Sequence, residues 1–199
     1  MPRVLTQTDV AGFRERLCDA ATKLFDTRGR EGFTMRELAS ELGVSAMTPY
    51  RYFKDKEDIL AAVRARAFNR WADKLEAAFE SAGPAAEKSA AVYRAYVDFA
   101  FNETAAYKLM FDLAQPDEAE YPELVAANIR ARATMTAYVR ALVDEGILEG
   151  DPELIGHVFW ASLHGAVVLK LAGKLHADYD FERISGAAFQ RLFEGFRKK

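Results

Sequence analysis

Few residues in this 199-residue chain have side chains suited to making and breaking bonds: three histidines and a single cysteine, Cys18. His157 and His164 stand seven apart, so a helix brings both to one face, and such a pair can begin a metal site for hydrolysis. A metal site normally needs three or four ligands, and the pair supplies two. No nucleophile stands with a base, no glycine-rich phosphate loop is present and no second histidine cluster follows. An all-α enzyme built on His157 and His164 is therefore the lesser reading, and no catalytic residue, metal or cofactor is expected. Cys18 can form no internal disulfide and falls on the apolar side of its helix, which predicts a small core residue rather than a redox sensor.

Recognition is written more plainly. Residues 33–58 read FTMRELASELGVSAMTPYRYFKDKED. Thr34 can cap the helix it opens while Glu37, three residues on, reaches back to the cap's own N–H, with Phe33 and Leu38 at the positions of a hydrophobic staple. Leu38 and Leu42 share a face, and Ala39 is small enough for another helix to approach. Gly43 supplies a left-handed stop, Val44 turns inward, and Ser45 can cap a second helix, SAMTPYRYF, after a tight corner. Pro49 removes one helical hydrogen bond, which predicts a short, tightened helix anchored at its far end by Phe53. Asp55 caps the next helix, and Glu57 and Asp58 put negative charge in its first turn. Two short capped helices joined by a glycine turn, followed by a third helix start, make a helix-turn-helix.

The elements that must position this motif read as helix throughout, so the fold class is all-α with about nine helices. The first carries Phe13, Leu17, Ala20, Ala21, Leu24 and Phe25 on one side and ends at Gly29. The fourth, 56–81, keeps Ile59, Leu60, Val63, Ala67, Trp71, Leu75 and Phe79 in register and spans about 40 Å, long enough to belong to two domains. The expected domains are a helix-turn-helix domain over 8–55 and a C-terminal helical domain over 56–199, with the fourth helix bridging them. After Gly83 and Pro84, helices are expected over 86–102, 105–113, 122–145, 152–175 and 181–197. The eighth is apolar nearly all round from Val158 to Leu169 and must be buried on more than one side. The ninth carries Ile184, Ala188, Leu192 and Phe196 with Phe189 and Phe193 beside them, wider than one neighbouring helix covers, which points to a second copy of the chain.

The net charge of −3 conceals a gradient: residues 1–56 balance at +2 and the remainder at −5. Half the residues are hydrophobic, yet no apolar run is read as long enough to span a bilayer and no basic-then-apolar leader opens the chain, so a cytoplasmic protein with no membrane partner is expected.

The spacing of Phe25, Gly29, Phe33, Thr34, Ala39, Leu42, Gly43, Val44, Ser45, Tyr50, Tyr52, Phe53, Lys54, Lys56 and Glu57 closely resembles the DNA-binding domain of the tetracycline-repressor (TetR) family of bacterial regulators. The resemblance implies that the third helix enters the major groove of double-stranded DNA. On that reading Ser45 opens the recognition helix, and Ala46, Met47, Thr48, Tyr50, Arg51 and Tyr52 are candidates for touching bases or nearby phosphates. Arg51 suits guanine, whose O6 and N7 a guanidinium can bond together, and Met47 suits a thymine methyl. Thr34, Arg36, Tyr50, Tyr52, Lys54 and Lys56 would hold phosphates, with Lys56 helped by the start of the fourth helix. The family's last two helices form a four-helix dimer interface, which carries over to 152–175 and 181–196. Two heads related by a two-fold and spaced by about one turn of DNA, roughly 34 Å, imply a palindromic operator.

Trp160 and His164, four apart with Gly165 next, and Tyr107-Lys108-Leu109-Met110-Phe111 upstream resemble the C-terminal domain of a TetR subgroup named for Trp, His and Gly, over residues 86–175. Such domains enclose a cavity for a small effector. Trp71, Tyr93, Tyr96, Phe99, Tyr107, Met110, Phe111, Met135, Tyr138, Phe159 and Trp160 are the candidate lining, with His164 as the polar contact. The implied function is that of a homodimeric repressor released from its operator by a small hydrophobic or aromatic effector. An activator and a ligand-independent regulator are variants of it.

Overall fold

The computed structural model describes residues 7–81, 83–112 and 118–199. Its helices are α1 (Gln7–Arg28), α2 (Met35–Glu41), α3 (Lys56–Ser81), α4 (Ala85–Asn102), α5 (Thr104–Met110), α6 (Pro122–Asp144), α7 (Pro152–Leu171) and α8 (Phe181–Phe196). The nine expected segments keep their order, but the third is a 3-10 turn, Pro49–Arg51, rather than an α-helix, which leaves eight. A second 3-10 turn, Glu118–Glu120, precedes α6. Leu148 pairs with Arg197 in an isolated antiparallel bridge, so the turn before α7 is fastened to the end of α8 by Glu149 N to Phe196 O (2.8 Å) and Lys198 N to Ile147 O (3.1 Å).

Packing divides the chain into two units. One comprises Met1–Asn69 with Thr104–Asn128, the other Arg70–Glu103 with Ile129–Lys199, so α3 and α6 each belong to both. Expected domains of 8–55 and 56–199 divide the chain at the start of α3, whereas packing divides it within the helix. The reason is that Ile59, Leu60 and Val63 of α3 are buried in the N-terminal core with Leu17, Leu24, Phe33, Leu38 and Phe53. Each large side chain fully removed from water there contributes about 1.5–3 kcal/mol. Leu109 of α5 joins the same core, and so does Cys18, whose thiol pKa burial pushes up.

In the other unit Trp71 sits edge-on to Tyr96 (4.5 Å) and Phe99 (5.3 Å), while Phe101 meets Phe181 at 5.0 Å, joining α3, α4 and α8. Helices α6 and α7 approach very closely at Gly156: a β-carbon there would stand 2.8 Å from Thr136 Cγ2 and 3.0 Å from the Met135 carbonyl. By length and composition α7 is apolar enough to cross a bilayer, contrary to the expectation that no such run exists. Within the chain its aromatic face meets α8, with Phe159 at 5.3 Å from Phe189 and 6.3 Å from Phe196.

Candidate nucleic-acid interface and effector pocket

The capping box of α2 is complete. Thr34 N donates to Glu37 Oε2 (2.8 Å) and Glu37 N donates to Thr34 Oγ1 (3.3 Å). Hydrogen bonds from the Thr34 hydroxyl and backbone N–H, together with nearby Arg28, hold the Glu37 carboxyl below its usual pKa. The helix stops where Gly43 turns left-handed at φ 65°, its N–H donating to Ser40 O (3.0 Å) while Val44 N donates to Ala39 O (3.0 Å). Phe33 and Leu38, the staple pair, are both buried.

Beyond this corner the chain tightens, as Pro49 requires. Thr48 N reaches Ser45 O (2.9 Å), Arg51 N reaches Thr48 O (3.1 Å) and Tyr52 N reaches Pro49 O (3.0 Å). All three are i to i+3 bonds, which bring residues three apart into line. Ser45 therefore caps through its carbonyl and not, as expected, through its hydroxyl, which sits 2.9 Å from Thr48 Oγ1. Pro49 and Phe53 point inward and are buried. The outward side chains are Ala46, Met47, Tyr50 and Arg51, all exposed, with Met47 at 69% and Tyr50 at 46%.

The segment is held from behind by Arg14, whose guanidinium lies 4.2 Å over the Phe53 ring while Nη1 donates to Tyr52 O (2.7 Å). Tyr52 itself packs at 4.7 Å on Phe13. Asp55 caps α3 by accepting from Asp58 N (2.9 Å), and Asp58 accepts in return from Lys54 N (2.9 Å).

Arg36 on α2 and Lys54, three residues after Arg51, are both exposed. Lys56 is placed differently. Its ammonium donates to the carbonyls of Arg30 (2.8 Å) and Phe33 (3.4 Å) and lies 5.4 Å over the Phe33 ring, so it fastens the loop before α2 to the start of α3. Sequence spacing could not reveal that commitment, because the partners lie 26 and 23 residues away.

The effector candidates separate between the two units. Tyr93, Tyr96, Met135, Tyr138, Phe159 and Trp160 converge on one pocket of α4, α6, α7 and α8. Burial pushes the Tyr138 phenol well above its usual pKa, so it offers a neutral hydroxyl. Trp71 and Phe99 stand behind Tyr96 as core. Tyr107, Met110 and Phe111 are not with them: they belong to the N-terminal unit, where Tyr107 and Met110 are buried and Phe111 meets Phe68 edge-on at 6.0 Å.

His164 is half-buried on α7, its ring 5.8 Å from Trp160, and desolvation lowers its pKa; it is not among the residues lining the pocket. Sequence reasoning missed Ser89, Ser162 and Ser185 on the pocket wall, small polar residues that leave no periodic signal. His157 is exposed, with Nδ1 2.7 Å from the Glu153 carbonyl, a local backbone contact. Among the described residues, no three His, Cys, Asp or Glu side chains converge as a metal site would require.

Comparison with known proteins identifies the family. Residues 17–63 match the family described as bacterial regulatory proteins, tetR family, and residues 89–195 match the tetracyclin repressor-like C-terminal domain. An uncharacterized HTH-type transcriptional regulator of Mycobacterium tuberculosis is 26% identical over 94% of this chain and 82% of its own. The HTH-type transcriptional regulator BetI of Rhizobium meliloti is 29% identical over 73% and 75% of the two chains. A solved structure of a protein of unknown function from Rhodococcus sp. RHA1 superposes with a TM-score of 0.80 at 28% identity, covering 93% of this chain and 95% of that one. With both of its halves matched in this way, the chain belongs to the TetR family and is a DNA-binding transcriptional regulator.

Proposed function

We propose that the protein acts as a homodimeric repressor that grips a palindromic operator through the segment around Pro49–Arg51 and lets go when a small apolar or aromatic effector enters the pocket bounded by Tyr93, Tyr96 and Trp160. One observation carries the DNA reading. Met47 and Tyr50 are large apolar side chains left in water beside Arg51, on a turn whose opposite side, Pro49 and Phe53, is fixed in the core. An apolar tip flanked by cations is suited to a groove with a thymine methyl on its floor and phosphates on its walls. Arg51 is assigned to base edges, and Thr34, Arg36, Tyr50 and Lys54 to phosphates. Tyr52 and Lys56 act from behind, by holding the turn and the start of α3. Residues 8–55 are the DNA-binding domain in this reading, and 56–199 the effector and dimer domain.

Dimerisation is proposed through α7 and α8. Leu154, His157, Ala161, His164 and Val168 alternate three and four apart along α7, the repeat of a helix-to-helix seam. Leu154 is 59% and Val168 43% exposed in the single chain. Covering that stripe with a second copy removes apolar area from water, and the two-fold sets two recognition turns on one face of the duplex. Release needs a coupling of only about 1–3 kcal/mol, provided the effector favours the state in which the heads no longer match the grooves. Helices α3 and α6 both run unbroken from one unit into the other, and α3, which starts directly after the recognition turn, is the one assigned to pass such a bias.

The test uses duplexes selected from a random pool by the wild-type protein. Arg51→Ala is expected to weaken binding by about 5- to 150-fold, equivalent to about 1–3 kcal/mol, while sedimentation still shows a dimer. Affinity should also fall steeply between roughly 50 and 200 mM salt. A monomer in solution, or an affinity indifferent to salt, overturns the proposal.

A further inference from the structure

The inner pocket offers only about 30 Å³, space for a few waters, whereas an enclosed small-molecule site commonly occupies about 300–1,000 Å³. Its outer wall tells where the missing volume lies. Ser89, Tyr93, Ser185 and Phe189 line the inner pocket and also a groove of about 510 Å³ between α4 and α8. The two spaces are therefore separated by one layer of side chains. Across that layer Tyr93 Oη and Ser185 Oγ are hydrogen-bonded at 3.1 Å. A β-carbon on Gly186, at the groove's edge, would meet nothing within 4 Å, so the backbone of α8 lies open there.

The groove is apolar apart from its two serines, Tyr93 and one charged residue, Arg94. Arg94 is exposed and makes no ion pair among the described residues. Elsewhere in this unit Arg130 is matched by Asp73 and Glu76 and Lys74 by Asp98 and Glu103, whereas among the described residues the groove wall carries no carboxylate beside Arg94. A lone guanidinium at the mouth of an apolar slot complements a ligand with a hydrocarbon or aromatic body and one anionic group, such as a carboxylate, held in bidentate fashion.

We infer that the α4/α8 groove is the entrance and outer half of the effector site, that parting Tyr93 from Ser185 joins it to the inner pocket, and that the effector is an apolar molecule with one anionic group held by Arg94. This deepens the proposed function and rests on its effector pocket. Continuity with the inner pocket and the unmatched cation favour a small amphiphile over a second copy of the chain as the occupant.

Two fluorescent probes of one skeleton separate the parts of the inference: 1-anilinonaphthalene-8-sulfonate, which is anionic, and N-phenyl-1-naphthylamine, which lacks the sulfonate. Arg94→Gln is expected to weaken the anionic probe by about fivefold, the scale of a partly exposed charge contact, and to leave the neutral one within about twofold. Ala90→Trp, which fills the groove, should abolish binding of both, and Tyr93→Phe should speed their association. Circular dichroism and thermal melting confirm that each variant is folded.

Equal effects of Arg94→Gln on both probes overturn the anionic class. Probe binding unaffected by Ala90→Trp but lost in Met135→Trp overturns the groove as entrance while keeping the inner pocket; indifference to both tryptophans overturns the effector pocket itself. Binding that appears only as dilution yields monomer assigns the groove to a second copy and overturns the inference.

Discussion

Removing one carboxylate, Glu118→Ala, tests how the N-terminal unit holds α3. Arg64 of α3 is 4% exposed, and its Nη2 donates to Glu118, which also accepts from Asn128 Nδ2 at 2.8 Å. Nε and Nη1 of Arg64 are buried and have no hydrogen-bond partner among the described residues. Burial lowers the arginine's pKa, with Glu118 the foremost opposing influence, but a guanidinium does not lose its proton in a protein. Glu118, ahead of Asp112, is therefore the charge that most offsets the cost of its burial.

Breaking a fully buried pair from one side costs about 3–5 kcal/mol. The Glu118 side chain is 33% exposed, so water already screens part of the interaction, and about 2–3 kcal/mol is the expected loss. In a chain of this length that lowers the melting temperature by about 4–12 °C. Urea unfolding followed by circular dichroism, at one fixed protein concentration, should show a lower midpoint with an unchanged slope. Adding Arg64→Met to Glu118→Leu should recover stability to within about 1 kcal/mol of wild type, because the charge that needed a partner is then gone. A Glu118→Ala protein within about 0.5 kcal/mol of wild type, or a double variant no better than the single one, would refute the reasoning.

Two further perturbations probe the turn and the C-terminal unit. Gly43→Ala should cost about 1–2 kcal/mol in urea unfolding, all of it conformational, since φ is 65° and a new β-carbon meets nothing within 4 Å; a loss near zero would show that the corner relaxes freely. Desolvation lowers the His164 pKa in the folded state, so below about pH 6.5 the unfolded chain binds a proton that the folded one refuses, and stability falls as the pH drops through that value towards the folded pKa. His164→Gln should flatten that part of the stability profile between about pH 7 and 5, and a steeper profile would contradict it.

What the sequence determined by itself lies within a few residues of each signal. The Thr34 and Glu37 capping box, the left-handed Gly43, the tightened turn at Pro49 and the Asp55 cap all follow from hydrogen bonds and dihedral limits that span four residues or fewer, so spacing alone specifies them. Burial of Phe33, Leu38 and Phe53 followed in turn, because helix periodicity fixes which side chains share a face.

Tertiary structure decided the rest. It turned Lys56 to carbonyls more than 20 residues back, paired Arg64 with a glutamate 54 residues on, and placed Tyr107, Met110 and Phe111 in the N-terminal unit, away from the pocket. It also set Ser89, Ser162 and Ser185 on one pocket wall. These outcomes depend on which helices pack together, and an aromatic or a lysine carries the same local signature whether it meets a core, a carbonyl or a ligand.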